Sequence, residues 1–315
     1  TMSNLLKPVI IGKEKPAKNE PKQKQVYQST ILNNSTSPQL NIKQVKVICC
    51  NLNGLRAALK KDLDDFIKQQ VPDIFCVGET KIGADKIGEF IGSSEFTSSM
   101  LSKHYRHIFA SSTQRQGYAG TAIFVKPEFM PLNYETKIKE LPDDNIINSE
   151  GRFIQLEFEK FFLIHVYVPN SGRGDGYLSE RGEYEEQIRN HIKSLQTKKP
   201  VVYCGDMNVV AEKIDIWEWN KNVGQPGMTE EEQADHRKLK SELNMLDGFR
   251  LLHPNDVKYS WFSNFGNARF NNHGWRLDYF LISERLKSAV QECMILDNVR
   301  NLSDHVPIFI HLKFD

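Results

Sequence analysis

Apolar runs rich in β-branched residues recur along the chain from Val45 onward: Val45–Cys50, Ile74–Val77, Thr121–Val125, Phe153–Phe158, Phe161–Val168, Val201–Cys204, Tyr279–Ile282 and Val306–Leu312. Each is four to eight residues long and bounded by Gly, Pro, Asn or Asp, which predicts strands. Several are apolar at every position, as strands covered on both faces are. Between them the period changes. Leu59, Leu63, Phe66 and Ile67 share one helical face, and Tyr184, Ile188, Ile192 and Leu195 share another. Thr229 and Glu232 form a capping box ahead of Leu239, Leu243 and Leu246. The pattern describes two packed sheets with helices outside, in two β-rich halves that divide near residue 175, without a short-period repeat.

Residues 1–43 break this texture. They carry seven Lys and two Glu among Asn, Gln, Ser and Pro, with no apolar periodicity, and are expected to form a disordered Lys-rich tail ahead of a catalytic domain at 44–315. That balance of +5, in a chain of net charge +1, leaves an acidic body near −4. Such a body binds a polyanion only where a divalent cation and local Lys or Arg offset its carboxylates. No run approaches the ~20 apolar residues of a membrane helix, and no charged-then-apolar signal opens the sequence. The five cysteines are irregularly spaced, four of them inside apolar runs, and no CxxC pair occurs. This predicts buried, reduced thiols in a cytosolic or nuclear protein and argues against a disulfide framework or structural zinc.

Polar residues repeat at the strand ends. Val45–Cys50 runs into Asn51 and Asn53, Ile74–Val77 into Glu79, Phe161–Val168 carries Tyr167 and runs into Asn170, and Val201–Cys204 runs into Asp206 and Asn208. Asp278 opens the strand Tyr279–Ile282, and Asp304-His305 stands just before Val306. Each has an ordinary structural reading: an Asx turn at Asn51 and Asn53, a turn at Gly205-Asp206, a cap at Ser303-Asp304-His305, a core phenol at Tyr167. Six such placements at strand ends point instead to one shared site. Asn and carboxylate oxygens without Cys favour a hard cation, Mg²⁺ or Mn²⁺. Asp206 can take a proton from water, Asn208 can hold a phosphate oxygen or a metal, and a His beside Asp can stay charged next to phosphate. Phosphodiester hydrolysis needs that set.

Nine segments resemble, in order, the motifs of the exonuclease III family of abasic-site endonucleases, within the endonuclease/exonuclease/phosphatase superfamily. They are NLNGLRA (51–57), GETK (78–81), GYAG (117–120), EGR (150–152), YVPNSGRG (167–174), CGDMNV (204–209), GMTEEE (227–232), ARFNNHGWRLDYFL (268–281) and SDHVPI (303–308). GDxN and SDH are shared across the superfamily, whereas WRLDYF with YVPNSGRG looks like the eukaryotic abasic-endonuclease branch. The resemblance implies an α+β, four-layered αββα sandwich of the DNase I-like kind with internal pseudo-symmetry. It implies Asn51 and Glu79 as metal holders, with Asp304 nearby and Asn53 lending an oxygen, and Asp206 and Asn208 at the same centre. Asp206 would activate the attacking water, Asn208 position it or the phosphate, His305 contact the scissile phosphate under the orientation of Asp278, and Tyr167 donate towards phosphate or the leaving oxygen.

The same resemblance assigns Trp261, Trp275 and Leu277 to an apolar pocket for a sugar without its base; for the two Trp, core packing is the competing reading. Arg173 and Phe265 fall where relatives insert side chains into the duplex. Arg56, Lys61, Tyr118, Asn170 and Asn222 would contact the DNA backbone. The implied activity is Mg²⁺-dependent hydrolysis 5′ to abasic sites in duplex DNA, with 3′–5′ exonuclease and 3′-phosphodiesterase side activity, in a nuclear monomer with no membrane partner. A mitochondrial or cytoplasmic pool, another superfamily phosphodiesterase or phosphatase, and a catalytically silent DNA-binding subunit are the alternatives. The departures are Gly78 where relatives carry Gln, Cys49-Cys50 for a Ser-aromatic pair, Asn53 for Asp, and Phe265 for Met.

Overall fold

The computed structural model describes residues 42–172, 174 and 176–314. The expected tail lies outside the described residues up to position 41, and so does Arg173. Among the described residues the chain forms β1 (Gln44–Asn51), β2 (Ile74–Gly78), β3 (Arg106–Ala110), β4 (Thr121–Val125), β5 (Asn133–Glu135), β6 (Phe153–Glu157), β7 (Phe162–Tyr167), β8 (Val201–Asp206), β9 (Met245–Asp247), β10 (Trp261–Phe262), β11 (Gly274–Trp275), β12 (Asp278–Ser283), β13 (Val290–Ile295) and β14 (Ile308–Lys313). They build two six-stranded sheets, in the orders β13-β14-β1-β2-β4-β3 and β5-β6-β7-β8-β12-β9, and a β10-β11 ribbon.

The two sheets repeat one topology. In the first, β14 pairs antiparallel with β1, β1 parallel with β2, and β2 antiparallel with β4. In the second, β6 pairs antiparallel with β7, β7 parallel with β8, and β8 antiparallel with β12. Thus β1 and β2 correspond to β7 and β8. The halves divide between β4 and β5, not near residue 175, because β13 and β14 return from the end of the chain to the first sheet.

Alternation along each strand makes the four αββα layers. Val47 and Cys49 of β1, Cys76 of β2, Cys204 of β8 and Phe280 of β12 face inward, into the core between the sheets. Ile48, Cys50, Phe75 and Val77 face outward beneath Leu55, Leu63, Phe66 and Ile67. Ile164, Val166 and Tyr203 face outward on the other side, beneath Tyr184, Ile188 and Ile192 of the helix Tyr177–Gln196. Because the strands have apolar neighbours on both faces, their sequences read as continuous apolar runs.

The capping box is present: Glu232 N–H donates to Thr229 Oγ1 at 3.2 Å, and Thr229 N–H to Glu232 Oε2 at 3.2 Å. Two helical expectations change. The face from Leu59 to Ile67 is divided between Leu55–Leu59 and Leu63–Gln70, and Leu246 belongs to β9 because the helix Glu230–Glu242 ends before it. The strands β3, β5, β9 and β13 were not predicted. They are polar or short and lie at the sheet margins, where one side of the ladder has no apolar demand; β13, for example, alternates Gln, Glu and Met outward with Cys293 and Ile295 inward.

Candidate active site

Period two carries the inward register of each central strand to its last residue. Cys49, His165 and Cys204 are each followed two positions later by Asn51, Tyr167 and Asp206. These residues therefore emerge at one end of the sandwich, between the sheets. Register completes the row: Tyr167 pairs with Asp206 and Asp206 with Asp278, while Asn51 pairs with Gly78 in the other sheet. His305 enters from the segment before β14, bridged to Trp261.

Asn51 ties the two sheets together. Its Nδ2 donates to Glu79 Oε1 and to Asp206 Oδ2, both at 2.9 Å. Its Oδ1 accepts the Asn53 N–H at 2.9 Å. Glu79, Asn53 and Asn208 hold φ values of 48°, 51° and 47°, in the left-handed region. For a glutamate that backbone is uncommon, and strain of this kind collects at functional sites.

Asp206 is 3% exposed, and its Oδ1 accepts the Asn208 N–H at 3.0 Å. Asn208 Nδ2 donates to Val168 O at 2.9 Å, and Asn170 Nδ2 donates to Asn208 Oδ1 at 3.3 Å. His305, equally buried, places Nδ1 2.8 Å from Asp278 Oδ2 and Nε2 3.7 Å from Asp206 Oδ2. Burial, with Asp278 behind it, pushes the Asp206 carboxyl above its ordinary range against the pull of His305. Burial alone would lower the His305 imidazole, but Asp278 and then Asp206 outweigh it and hold the ring protonated. Burial, and next the charge of Glu79, raises the Tyr167 phenol well above its usual value.

Asp304 accepts from Asn53 Nδ2 at 3.0 Å, from Ser303 Oγ at 3.0 Å and from Trp261 Nε1 at 3.1 Å. Against the cost of burial, His305 and then these bonds hold its carboxyl below the ordinary range. Glu79, Asp206, Asp278 and Asp304 thus bring four carboxylates to one imidazole and the Lys81 ammonium, which lies 3.2 Å from Glu79 Oε2 and donates to Asn53 Oδ1. Asp278 Oδ1 is buried with no hydrogen-bond partner among the described residues. A surplus of oxygen donors and negative charge fits a hard divalent cation and not a thiophilic one.

A cleft of about 200 Å³ opens over these groups, lined by Glu79, Tyr167, Asp206, His305 and, on its apolar wall, Trp261, Trp275 and Leu277. The two indoles meet edge-on at 5.8 Å. The rings close a small satellite core with Val210, Ile216 and Met228, and their remaining surface faces the cleft. Asn170 lines the same cleft.

The other expected contact residues lie outside it. Phe265 stands free at 84% exposed. Lys61 reaches Leu302 O at 3.3 Å and lines a neighbouring groove with Asn53 and Asp304. Arg56 turns to Glu95 at 3.7 Å and Glu89 at 4.0 Å. Tyr118 accepts from Arg152 Nη2 at 2.8 Å, and Asn222 Nδ2 donates to Glu218 O at 3.0 Å.

A family model described as the endonuclease/exonuclease/phosphatase family matches residues 48–305. The chain belongs to that family. It is similar to an exodeoxyribonuclease of Bacillus subtilis (strain 168), 35% identical over 266 residues, covering 84% of this chain and 98% of that protein. It is similar to the DNA repair nuclease APEX1 of Danio rerio, 34% identical over 279 residues, covering 88% and 85%. Among solved structures it matches the AP endonuclease LMAP of Leishmania major with TM-score 0.75 and 26% identity, covering 87% and 89%. Animal relatives at 40% (Recombination repair protein 1 of Drosophila melanogaster) and 34% identity bracket the 35% of the bacterial protein, so these figures do not single out the eukaryotic branch.

Within this family fold, several supports of the site escaped sequence reasoning. Arg152, 0% exposed, donates to Glu150 Oε2 at 2.7 Å and Tyr167 O at 2.9 Å, with its guanidinium 4.6 Å from the Tyr167 ring. Arg181 ties the segments after β7 and β8 together through Pro169 O at 2.9 Å and Met207 O at 2.7 Å. Arg276 pairs with Asp215 and Asp247, both at 2.7 Å, just before Asp278. Ser260 Oγ accepts the N–H groups of Leu277 and Asp278 at 2.9 and 3.0 Å. The available signals were Lys81 in GETK, Arg152 in EGR and Arg276 in WRLDYF, motif residues with no role assigned.

Proposed function

We propose that this chain is a DNA-repair endonuclease that hydrolyses the phosphodiester backbone 5′ to abasic sites in duplex DNA, with Mg²⁺ as cofactor and 3′–5′ exonuclease and 3′-phosphodiesterase activity at the same site. The observation that carries the reading is the Asn51 amide, which joins Glu79 of one sheet to Asp206 of the other at 2.9 Å each, with the His305 Nε2 3.7 Å from the same Asp206 oxygen. A base and an imidazolium stand side by side on the floor of a cleft that can take a phosphate. Kinship to a named exodeoxyribonuclease and a named DNA repair nuclease supports the nuclease class.

In this reading Asp206 takes the proton of the attacking water, which its raised carboxyl can hold, and Asn208 positions that water. His305, kept as an imidazolium by Asp278, contacts the scissile phosphate and offsets the charge that grows on its oxygens. Tyr167 donates towards the leaving oxygen; its high affinity for its own proton keeps the hydroxyl intact at neutral pH. Asn51 and Glu79 would hold the cation, with Asp304 beside them and Asn53 lending its amide oxygen. The cation, when bound, neutralises phosphoryl charge.

Specificity belongs to the apolar wall. Trp261, Trp275 and Leu277 accept a sugar that has lost its base, and such a residue costs least to extrude from the stack. Arg173 and Phe265 insert into the duplex, and Arg56, Lys61, Tyr118, Asn170 and Asn222 hold its backbone. The enzyme acts as a nuclear monomer. The deciding experiment is incubation with a duplex holding one abasic analogue, with Mg²⁺ or with EDTA, and identification of the ends. A 3′-hydroxyl and a 5′-sugar phosphate, formed only with Mg²⁺, are expected. A β-elimination product, or full cutting in excess chelator, refutes the mechanism.

A further inference from the structure

One inner step below the catalytic row lies a second constellation that the chemistry above leaves unused. Cys49 pairs with Cys76 across β1 and β2, and His165 pairs with Cys204 across β7 and β8. The topology that relates the sheets therefore relates Cys49 to His165 and Cys76 to Cys204. All four are at most 1% exposed. Cys49 Sγ lies 3.7 Å from His165 Nδ1, and donor atoms of Cys49, His165 and Cys204 all lie within 4.8 Å of one another. Zinc–sulfur bonds of about 2.3 Å and zinc–nitrogen bonds of about 2.0 Å in a tetrahedron put S and N about 3.5 Å apart, and two S about 3.8 Å apart. The Cys49–His165 pair, at 3.7 Å, is already near that spacing, and Cys204 lies within 4.8 Å of both.

His165 is the residue that packing does not explain. A fully buried imidazole needs strong partners, yet its one side-chain contact is a thiol, a weak partner; the backbone of Val77 and Cys204 lies close to the ring, but Nε2 has no hydrogen bond of good geometry among the described residues. We propose that Cys49, Cys204 and His165, with Cys76 alongside, form a binding site for a thiophilic cation of the zinc class, closed between the two sheets. Linear spacing hides it, since each ligand comes from a different strand and no CxxC is involved. The softness of its donors separates it from the oxygen-lined cleft above. Because the ligands are sealed in the sandwich, the ion enters as the sheets close during folding, each bound thiol releasing its proton to solvent. Once in place it clamps β1 to β7 and β8, roughly 7 Å (two residues) below Asn51, Tyr167 and Asp206.

The test is to unfold the full chain in reductant, refold it with one equivalent of Co²⁺ or Zn²⁺, and desalt it. One retained equivalent is expected, with sulfur-to-cobalt charge-transfer absorption that carboxylates cannot produce. Both should be lost in Cys49→Ala and His165→Leu, and kept in Cys293→Ala and in Asp206→Asn. X-ray absorption at the zinc edge of the wild-type protein needs no variant: two or more sulfur ligands are expected. Retained metal surrounded by oxygen and nitrogen alone, loss of the metal in Asp206→Asn but not in Cys49→Ala, or no retained metal overturns the proposal.

Discussion

Asp278 Oδ2 stands 2.8 Å from His305 Nδ1, while Asp206 Oδ2 stands 3.7 Å from the other ring nitrogen, Nε2. Asp278 is fixed in turn by its register beside Asp206 and by the Ser260 hydroxyl at 3.0 Å. A buried imidazole would lose its proton without this carboxylate. Asp278→Asn keeps the shape and removes the charge, so the ring should become neutral and fail to neutralise the phosphate. We expect kcat to fall by about 10²-fold or more, with KM for abasic duplex nearly unchanged. Steady-state kinetics checks this, and an unchanged kcat would remove Asp278 from the orienting role.

Asp206 carries the proposed base function. Its 3% exposure and the 2.9 Å bond from Asn51 leave little room for another residue to replace it. Asp206→Asn should cut at a rate about 10²–10⁴-fold lower while still binding abasic duplex in a gel-shift assay. Cutting at the wild-type rate refutes the assignment.

The lines of the fold that the chain announces are those where one physical demand acts alone. Apolar runs mark the central strands because both faces are covered, and polar residues at their ends mark the cleft because the inward register of β1, β7 and β8 brings Asn51, Tyr167 and Asp206 out at the same end of the sandwich. Where two demands meet, the pattern blurs. Arg152, Arg181 and Arg276 look like surface arginines until Tyr167 O, Met207 O and the Asp215 carboxylate reach them from distant segments. The return of β13 and β14 to the first sheet leaves no local mark, so the sequence pattern places the boundary between the halves near residue 175 while the sheets place it between β4 and β5. Cys49, Cys76, His165 and Cys204 meet only through the packing of two sheets.

Gly78 occupies the position in the first sheet that Asp206 occupies in the second. A Cβ there would meet Asn51 Cα at 3.5 Å and Cβ at 3.6 Å, which is ordinary contact. The site therefore has space for the start of the Gln side chain that the family resemblance leads one to expect there. Gly78→Gln should fold normally, with a thermal midpoint no lower than wild type. By supporting Asn51 and Glu79 it should reduce the Mg²⁺ needed for half-maximal cutting by about tenfold. A Mg²⁺ titration that superimposes on wild type would show that the position does not tune the metal.

Trp261 and Trp275 share one wall but different duties. Trp261 donates to Asp304 at 3.1 Å, whereas the Trp275 indole N–H has no such partner among the described residues. Trp275→Ala should lower the preference for abasic over intact duplex by about tenfold, the scale of a lost apolar contact. Trp261→Phe keeps an apolar ring and deletes the bond to Asp304, so it should raise the Mg²⁺ requirement and spare the preference. Competition between the two duplexes, run across Mg²⁺ concentrations, separates the effects; equal discrimination in Trp275→Ala and wild type rejects the pocket.

His107 makes stability depend on pH in a stated direction. Its ring packs among Phe96 at 5.4 Å, Phe109 at 5.6 Å and Phe124 at 6.5 Å, and neither nitrogen has a hydrogen-bond partner among the described residues. Burial, helped by Arg106, pulls its pKa from 6.5 down to about 4. Between those values the unfolded chain binds a proton that the folded chain refuses, so stability falls as pH drops, by about 1.4 kcal/mol per pH unit for this group. His305 adds no slope there, since its raised pKa contributes a constant amount below pH 6.5; the Asp206 carboxyl, raised to about 7, opposes the slope and His236, lowered to about 3, adds to it, so the His107 contribution is read as the difference between wild type and variant. His107→Phe removes both the titration and the two unpaired nitrogens from an aromatic nest of matching shape. It should stabilise the protein by about 1–3 kcal/mol at neutral pH and by more at pH 5, in urea unfolding monitored by fluorescence. A variant whose stability falls with wild-type steepness from pH 6.5 to 4.5 would place the acid sensitivity elsewhere.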